Sequence, residues 1–143
     1  MTDRTPVQTF ATFVGAAFLL VGIAGFVPGI TTDYGDMAFA GPDSGAELLG
    51  IFQVSVLHNL VHVLFGIAGL ALARSFDGAR TYLVGGGVIY LVLGLYGVLV
   101  DREGSANFVP MNGADNWLHF ALGAGMIAGG LLLTRAGRAA STV

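Results

Sequence analysis

Long runs of apolar residues, separated by short polar segments, dominate this chain. Four runs contain no Asp, Glu, Lys or Arg, and each is close to the roughly 20 residues that a helix needs to cross a bilayer core. They cover residues 10–29, 49–73, 82–100 and 117–133. Helices satisfy their own backbone hydrogen bonds and are therefore stable in lipid. The pattern predicts an all-α membrane protein, a four-transmembrane-helix bundle that forms a single domain over residues 1–143.

The basic residues predict the orientation of these spans. The chain has six of them, all arginines, and only Arg102 falls on the opposite side of the predicted spans from the other five. Because cytoplasmic loops carry the excess of positive charge, both termini are expected in the cytoplasm. No small-residue cleavage site follows the first run, so we expect a retained span rather than a cleaved signal peptide.

Composition narrows the function classes. The chain is 55% hydrophobic and 10% charged, its net charge is −3, and its mean hydropathy is +0.78. A nucleic-acid binder would need a basic face, so no nucleic-acid partner is expected. The chain has no cysteine, which excludes disulfides and thiolate metal sites. The expected environment is therefore the lipid bilayer.

An internal repeat relates the second and fourth runs. In residues 59–66 and in residues 116–123, an Asn stands three positions before a His and a Gly four positions after it. Glycines at positions 15, 22 and 25 of the first run recur with the same spacing at 87, 94 and 97. The chain is therefore predicted to be a duplicated two-helix hairpin, with the small and polar residues of each helix facing the inside of the bundle.

The three histidines are the candidate metal ligands. His58 and His62 are four residues apart and share one helix face, and His119 is a candidate third ligand for a divalent metal. Depth counted from the cytoplasmic arginines pairs His58 with His119, whereas the repeat pairs His62 with His119. The sequence leaves open which of the two pairs faces.

Haem b is the other candidate cofactor. His119 with either His62 or His58 would supply one axial ligand from each of two facing helices. Gly66 and Gly123 would then make room for the macrocycle. Met126 is a weaker candidate ligand.

Acidic residues are absent from the predicted spans. The histidines therefore have no buried carboxylate to complete a hydrolytic site, and an ion-coupled transporter would be expected to have one as well. Asp115 or Asn116 is predicted to cap the fourth helix at its N-terminus instead. These absences predict that the protein is not an enzyme.

The leading prediction is a non-catalytic membrane protein, in a homo-oligomer or a larger membrane complex. A layer of His and Asn side chains would fix the helix register by hydrogen bonding. The alternative is a haem-binding or metal-binding membrane protein that uses the three histidines. A second alternative is a carrier for a small solute.

Two segments resemble a known family. Residues 50–62 (GIFQVSVLHNLVH) and residues 110–119 (PMNGADNWLH) are similar to an uncharacterised bacterial membrane family, domain of unknown function 4383, which is frequent in actinobacteria. The resemblance extends from about Thr9 to Gly130. It implies a small four-helix plasma-membrane protein and no particular activity.

Overall fold

The fold is mostly helical. A computed structural model describes residues 4–140, and the side chains of residues 4–136. Within that part of the chain, four α-helices form: α1 (Pro6–Ala24), α2 (Val56–Leu72), α3 (Phe76–Leu99) and α4 (Gly113–Ala140). Among the described residues, α1, α3 and residues Gly113–Ala136 of α4 are long and apolar enough to cross a membrane. Helix α2 is apolar as well but has only 17 residues.

Helix α2 begins at Val56, seven residues later than the predicted start of the second span at residue 49. Residues 49–55 are not helical, because Leu49 and Gly50 have φ angles of +57° and +67°, which end any regular helix. This part of the chain lies in a small antiparallel sheet of order β1-β2-β3, with β1 at Thr31–Thr32, β2 at Glu47–Leu48 and β3 at Phe52–Gln53. Short apolar runs do not distinguish a strand from a helix by composition, which explains the error.

The other helix ends also differ from the prediction. Helix α1 ends at Ala24 rather than at residue 29, and α3 begins at Phe76, six residues before the predicted start. The side chain of Ser75 caps α3 by accepting a hydrogen bond from the Gly78 amide at 3.1 Å. Only residues 73–75 therefore connect α2 and α3.

The N-terminal cap of α4 is Asn112, so the prediction of Asp115 or Asn116 is wrong. The Asn112 side chain accepts from the Asp115 amide at 3.0 Å, and Asp115 Oδ2 accepts from the Asn112 amide at 2.9 Å. These reciprocal bonds have the arrangement of a capping box. Helix α4 consequently starts four residues earlier than residue 117 and extends beyond residue 133.

Glycines bring the helices of each hairpin close together. A Cβ atom on Gly66 of α2 would lie 2.5 Å from the Leu19 amide nitrogen of α1. In the second hairpin, a Cβ on Gly87 of α3 would lie 2.8 Å from the Gly123 carbonyl oxygen of α4. Small residues of this kind allow backbones to approach in membrane helix pairs. The close contacts of α1 with α2 thus recur between α3 and α4.

The outer surface of the helices is apolar. Large apolar side chains are exposed on every helix, among them Leu20, Leu64, Val92 and Leu132. The buried core between the helices includes Phe18, Leu83, Tyr90 and Met126. Exposed apolar surface on this scale is costly in water and suits lipid. The apolar helices and this surface indicate a multi-pass membrane protein.

Candidate metal site

Three histidines converge near one end of the bundle. One ring nitrogen each of His58, His62 and His119 lies within 4.8 Å of the other two. The ring centroids of His58 and His62 are 4.6 Å apart, and those of His58 and His119 are 6.4 Å apart. Both histidines of α2 therefore lie close to His119. We refer to these three residues as the histidine cluster.

The first turn of α2 positions His58. Ser55 has an extended backbone and caps the helix, because its side chain accepts from the His58 amide at 3.1 Å. The His58 ring contacts the Gln53 carbonyl of β3 through Nδ1 at 3.1 Å. If Nδ1 carries the proton, it donates to that carbonyl, and the lone pair of Nε2 is available to a metal ion. This is the usual arrangement of a metal-binding histidine.

The other two rings have unused nitrogen atoms. Nδ1 of His62 and Nδ1 of His119 are buried and make no hydrogen bond to any described residue. Neither amide atom of the neighbouring Asn116 side chain has such a partner either. Leaving a buried polar atom unpaired costs about 1–3 kcal/mol, so the two unpaired ring nitrogens of the cluster require an explanation, such as a bound ion.

Aromatic side chains hold the two rings in place. Phe18 of α1 stacks on His62, with ring centroids 5.7 Å apart. Tyr90 of α3 meets His119 edge to face at 5.1 Å. Each of the four helices thus contributes a side chain to the histidine cluster or to its immediate packing.

The sequence pattern does not identify Asp115 as a site residue. It is buried and lines the same cavity as the histidine cluster. Its Oδ2 accepts from the backbone amide of Gln53 at 3.1 Å, and the backbone carbonyl of Gln53 contacts His58. Gln53 therefore joins Asp115 to His58. The expectation that no buried carboxylate accompanies the histidines was wrong, because α4 begins before the predicted span. The spacing offered a signal, since Asp115 precedes His119 by four residues and shares its helix face.

Two cavities meet at the histidine cluster. The larger one, about 250 Å³, lies between α1 and α4, and we call it the lateral groove. Its walls include Phe13, Ala17, Phe18, Leu49, Leu118 and Leu122. The smaller one, about 90 Å³, is lined by Tyr90, Tyr96 and Met111. All three histidines line both cavities, so the cluster lies between them.

The geometry fits a metal ion better than a haem. Gly66 and Gly123 pack against the backbones of α1 and α3, so they leave no open slot for a macrocycle. With two histidines as axial ligands, a third ring nitrogen within 4.8 Å of both would stand in the space of the macrocycle. Three imidazoles around one point are instead a common ligand set for a transition metal.

Comparison with known proteins identifies a family and no function. The family model described as Domain of unknown function (DUF4383) matches residues 8–132. No curated protein matches the chain significantly, and neither does any solved structure. The match includes the whole histidine cluster and Asp115.

Proposed function

The chain belongs to the DUF4383 family, and we propose that this member is an integral membrane protein that binds one divalent transition-metal ion through His58, His62 and His119. The observation that supports the proposal most strongly is the convergence of three imidazoles, with one ring nitrogen of each within 4.8 Å of the other two. Two of these rings also have a buried nitrogen without a partner among the described residues.

The distances require only a small contraction on metal binding. With metal–nitrogen bonds of 2.0–2.1 Å in a tetrahedral site, ligand nitrogens lie about 3.4 Å apart. The cluster must contract from spacings of up to 4.8 Å to reach that value. Imidazole suits zinc, copper, iron and nickel, whereas magnesium and calcium prefer oxygen ligands. Three protein ligands leave a fourth position open, as in catalytic zinc sites.

Hydrogen bonding alone explains the cluster less well. A polar layer that fixes helix register should pair its donors and acceptors across the helices. Within the described residues, Nδ1 of His62, Nδ1 of His119 and both amide atoms of Asn116 are unpaired. A carrier for a polar solute is also less favoured, because the lateral groove is lined mainly by apolar side chains. Membership of a homo-oligomer or a larger membrane complex stays a prediction.

For the topology we propose four spans, with both termini in the cytoplasm of a plasma-membrane protein. The distribution of the arginines supports this orientation. Helix α2 is about 26 Å long, close to the thickness of a bilayer core. The recurring glycine contacts support the duplicated hairpin. In this orientation the histidine cluster lies near the outer face of the membrane.

Metal analysis of the purified protein tests the proposal. The chain has only three histidines and no cysteine, so an affinity tag without histidine leaves the cluster as the sole imidazole site. The metal-free protein is titrated with Zn²⁺, Co²⁺ and Cu²⁺, and the metal retained after gel filtration is counted. We expect one ion per chain and, with Co²⁺, the visible absorption bands of a tetrahedral complex.

Replacing His119 by Ala should abolish this binding. Thr134→Ala is the matched control, since Thr134 is a buried polar residue of the same helix that donates to the Gly130 carbonyl and lines neither cavity at the cluster. It should lower stability and retain the metal. A wild-type protein that stays metal-free and colourless in all three titrations would contradict the proposal.

A further inference from the structure

The lateral groove opens towards the lipid. Residues at its rim are exposed on the apolar outer surface of the bundle: Phe13 is 70% exposed, Leu49 63% and Leu118 39%. Further along the helices, Gly129 of α4 contacts the ring of Phe10 of α1, which closes the space between these two helices. The groove is therefore a side opening between α1 and α4, through which a molecule dissolved in the bilayer can reach the interior.

The inner end of the groove differs chemically from its walls. The walls are apolar, and the rings of Phe13, Phe18 and Phe52 contribute to them. The inner end is formed by the histidine cluster and Asp115, which are buried polar groups. An occupant that matches both parts has an apolar body and a polar atom at one edge. Water alone does not suit this groove, because its apolar walls offer water no hydrogen-bond partner.

The volume and the walls favour a ring system over a long chain. A cavity of about 150 Å³ accepts benzene, so the 250 Å³ of the lateral groove suits a flat body of about two fused rings. Aromatic faces on the walls favour stacked or edge-on ring contacts. An oxygen on the ring edge would accept a hydrogen bond from a neutral imidazole N–H.

We propose that the lateral groove binds the ring of a lipid-soluble quinone, with one ring oxygen directed at the histidine cluster. The ring enters from the bilayer between α1 and α4 and lies against the phenylalanine walls. The proposal goes beyond the metal site and rests on it only in sharing the histidines. In the metal-free protein the oxygen accepts from an imidazole N–H, and with metal bound it takes the open fourth position.

Quenching of the single tryptophan measures this binding. Trp117 lies next to the groove residue Leu118, and it is the only tryptophan in the chain. The protein in lipid nanodiscs is titrated with 1,4-naphthoquinone, a quencher, and naphthalene is added as a competitor without oxygen. We expect saturable quenching, and naphthalene binding weaker by about tenfold, the equivalent of one hydrogen bond.

Replacing each of two alanines by leucine distinguishes binding in the groove from binding at the lipid-facing surface. Ala17→Leu fills the groove from α1, and Ala121→Leu adds the same group at an exposed position of α4 that does not line it. Ala17→Leu should remove the saturable quenching while the content of bound metal stays the same. Ala121→Leu should behave as wild type.

The outcomes are distinguishable from those of the metal proposal. Quenching that is linear in naphthoquinone, or that persists in Ala17→Leu, would overturn the quinone site. Equal affinities for naphthoquinone and naphthalene would also overturn it, because an apolar occupant such as an acyl chain would then be the better fit. Saturable quenching that Ala17→Leu removes, in a protein that binds no metal, would support the quinone site. Only the metal site would then be rejected.

Discussion

The two helical hairpins use the same residues for packing and different residues for chemistry. The pairs Gly15–Gly66 and Gly87–Gly123 occupy equivalent positions and make equivalent backbone contacts. The repeat also aligns His62 with His119, but it aligns His58 of the first hairpin with Asp115 of the second. Both of these residues lie in the first turn of their helix and contact Gln53. The glycines that pack the two hairpins are thus equivalent, whereas at the candidate site Asp115 stands where the first hairpin has His58.

The strongest test of the shared packing is a methyl group at the equivalent glycines. Gly66→Ala and Gly123→Ala should each destabilise the protein by about 2–3 kcal/mol, because the new Cβ would meet backbone atoms that cannot move aside. The unfolding of purified variants in SDS-containing micelles measures the effect. Gly125→Ala is the control, since a Cβ at Gly125 meets no described atom within 4 Å. Wild-type stability of Gly66→Ala would contradict the close approach of α1 and α2.

The asymmetric pair predicts two different losses of metal affinity. His58→Ala removes a proposed ligand and should abolish binding, whereas Asp115→Ala should weaken it about 10–100-fold, as is typical of residues that orient a ligand. The reason is that Asp115 holds the Gln53 amide, and the Gln53 carbonyl contacts the His58 ring. Competition titration with a chelating dye gives both affinities.

Two controls isolate the role of Asp115. Asp101→Ala removes an exposed acidic residue and should leave the affinity unchanged, which excludes a general effect of charge. Asn112→Ala removes the helix cap but keeps the contact with Gln53, so its loss of affinity should be smaller than that of Asp115→Ala. Equal losses for Asp101→Ala and Asp115→Ala would show that Asp115 does not position His58.

The smallest expected effect concerns Asn59 and Asn116, the two asparagines that the repeat aligns. Asn116 has no hydrogen-bond partner for either amide atom among the described residues, while Asn59 contacts the Met37 sulfur at 3.9 Å. Asn116→Leu should therefore raise the free energy of unfolding by about 1 kcal/mol, because an unpaired buried amide is lost. Asn59→Leu should raise it less. Destabilisation by Asn116→Leu would indicate that the amide binds a partner in the intact protein.

Much of the fold was predictable from the apolar pattern. Helix number and approximate position follow from long runs without charge, and the residues of the Asn–His–Gly repeat lie in α2 and α4. The boundaries at residues 49–55 were not predictable, because Leu49 and Gly50 adopt positive φ values that composition does not reveal. The strands there depend on pairing with Thr31–Thr32, a contact between distant parts of the chain.

The candidate site was predictable only in its histidines. Spacing placed His58 and His62 on one helix face, but their joint approach to His119 depends on how two hairpins pack. The sequence predicts Asp115 only as a cap outside the span, and it predicts no role for Gln53. Both errors have the same origin: the backbone of Gln53 reaches the site from a strand, which helical periodicity cannot show.

The division of the histidine cluster between the hairpins has a consequence for biogenesis. Two of the proposed ligands come from α2 and the third from α4, so neither hairpin by itself contains all three histidines. The proposed site would be completed only after the second hairpin has inserted and joined the first. A metal ion would then act as a clamp between them, and it would favour the assembled protein by about 2.7 kcal/mol at a free concentration 100 times its Kd. Metal supply would thereby select correctly assembled chains over those whose hairpins have inserted separately.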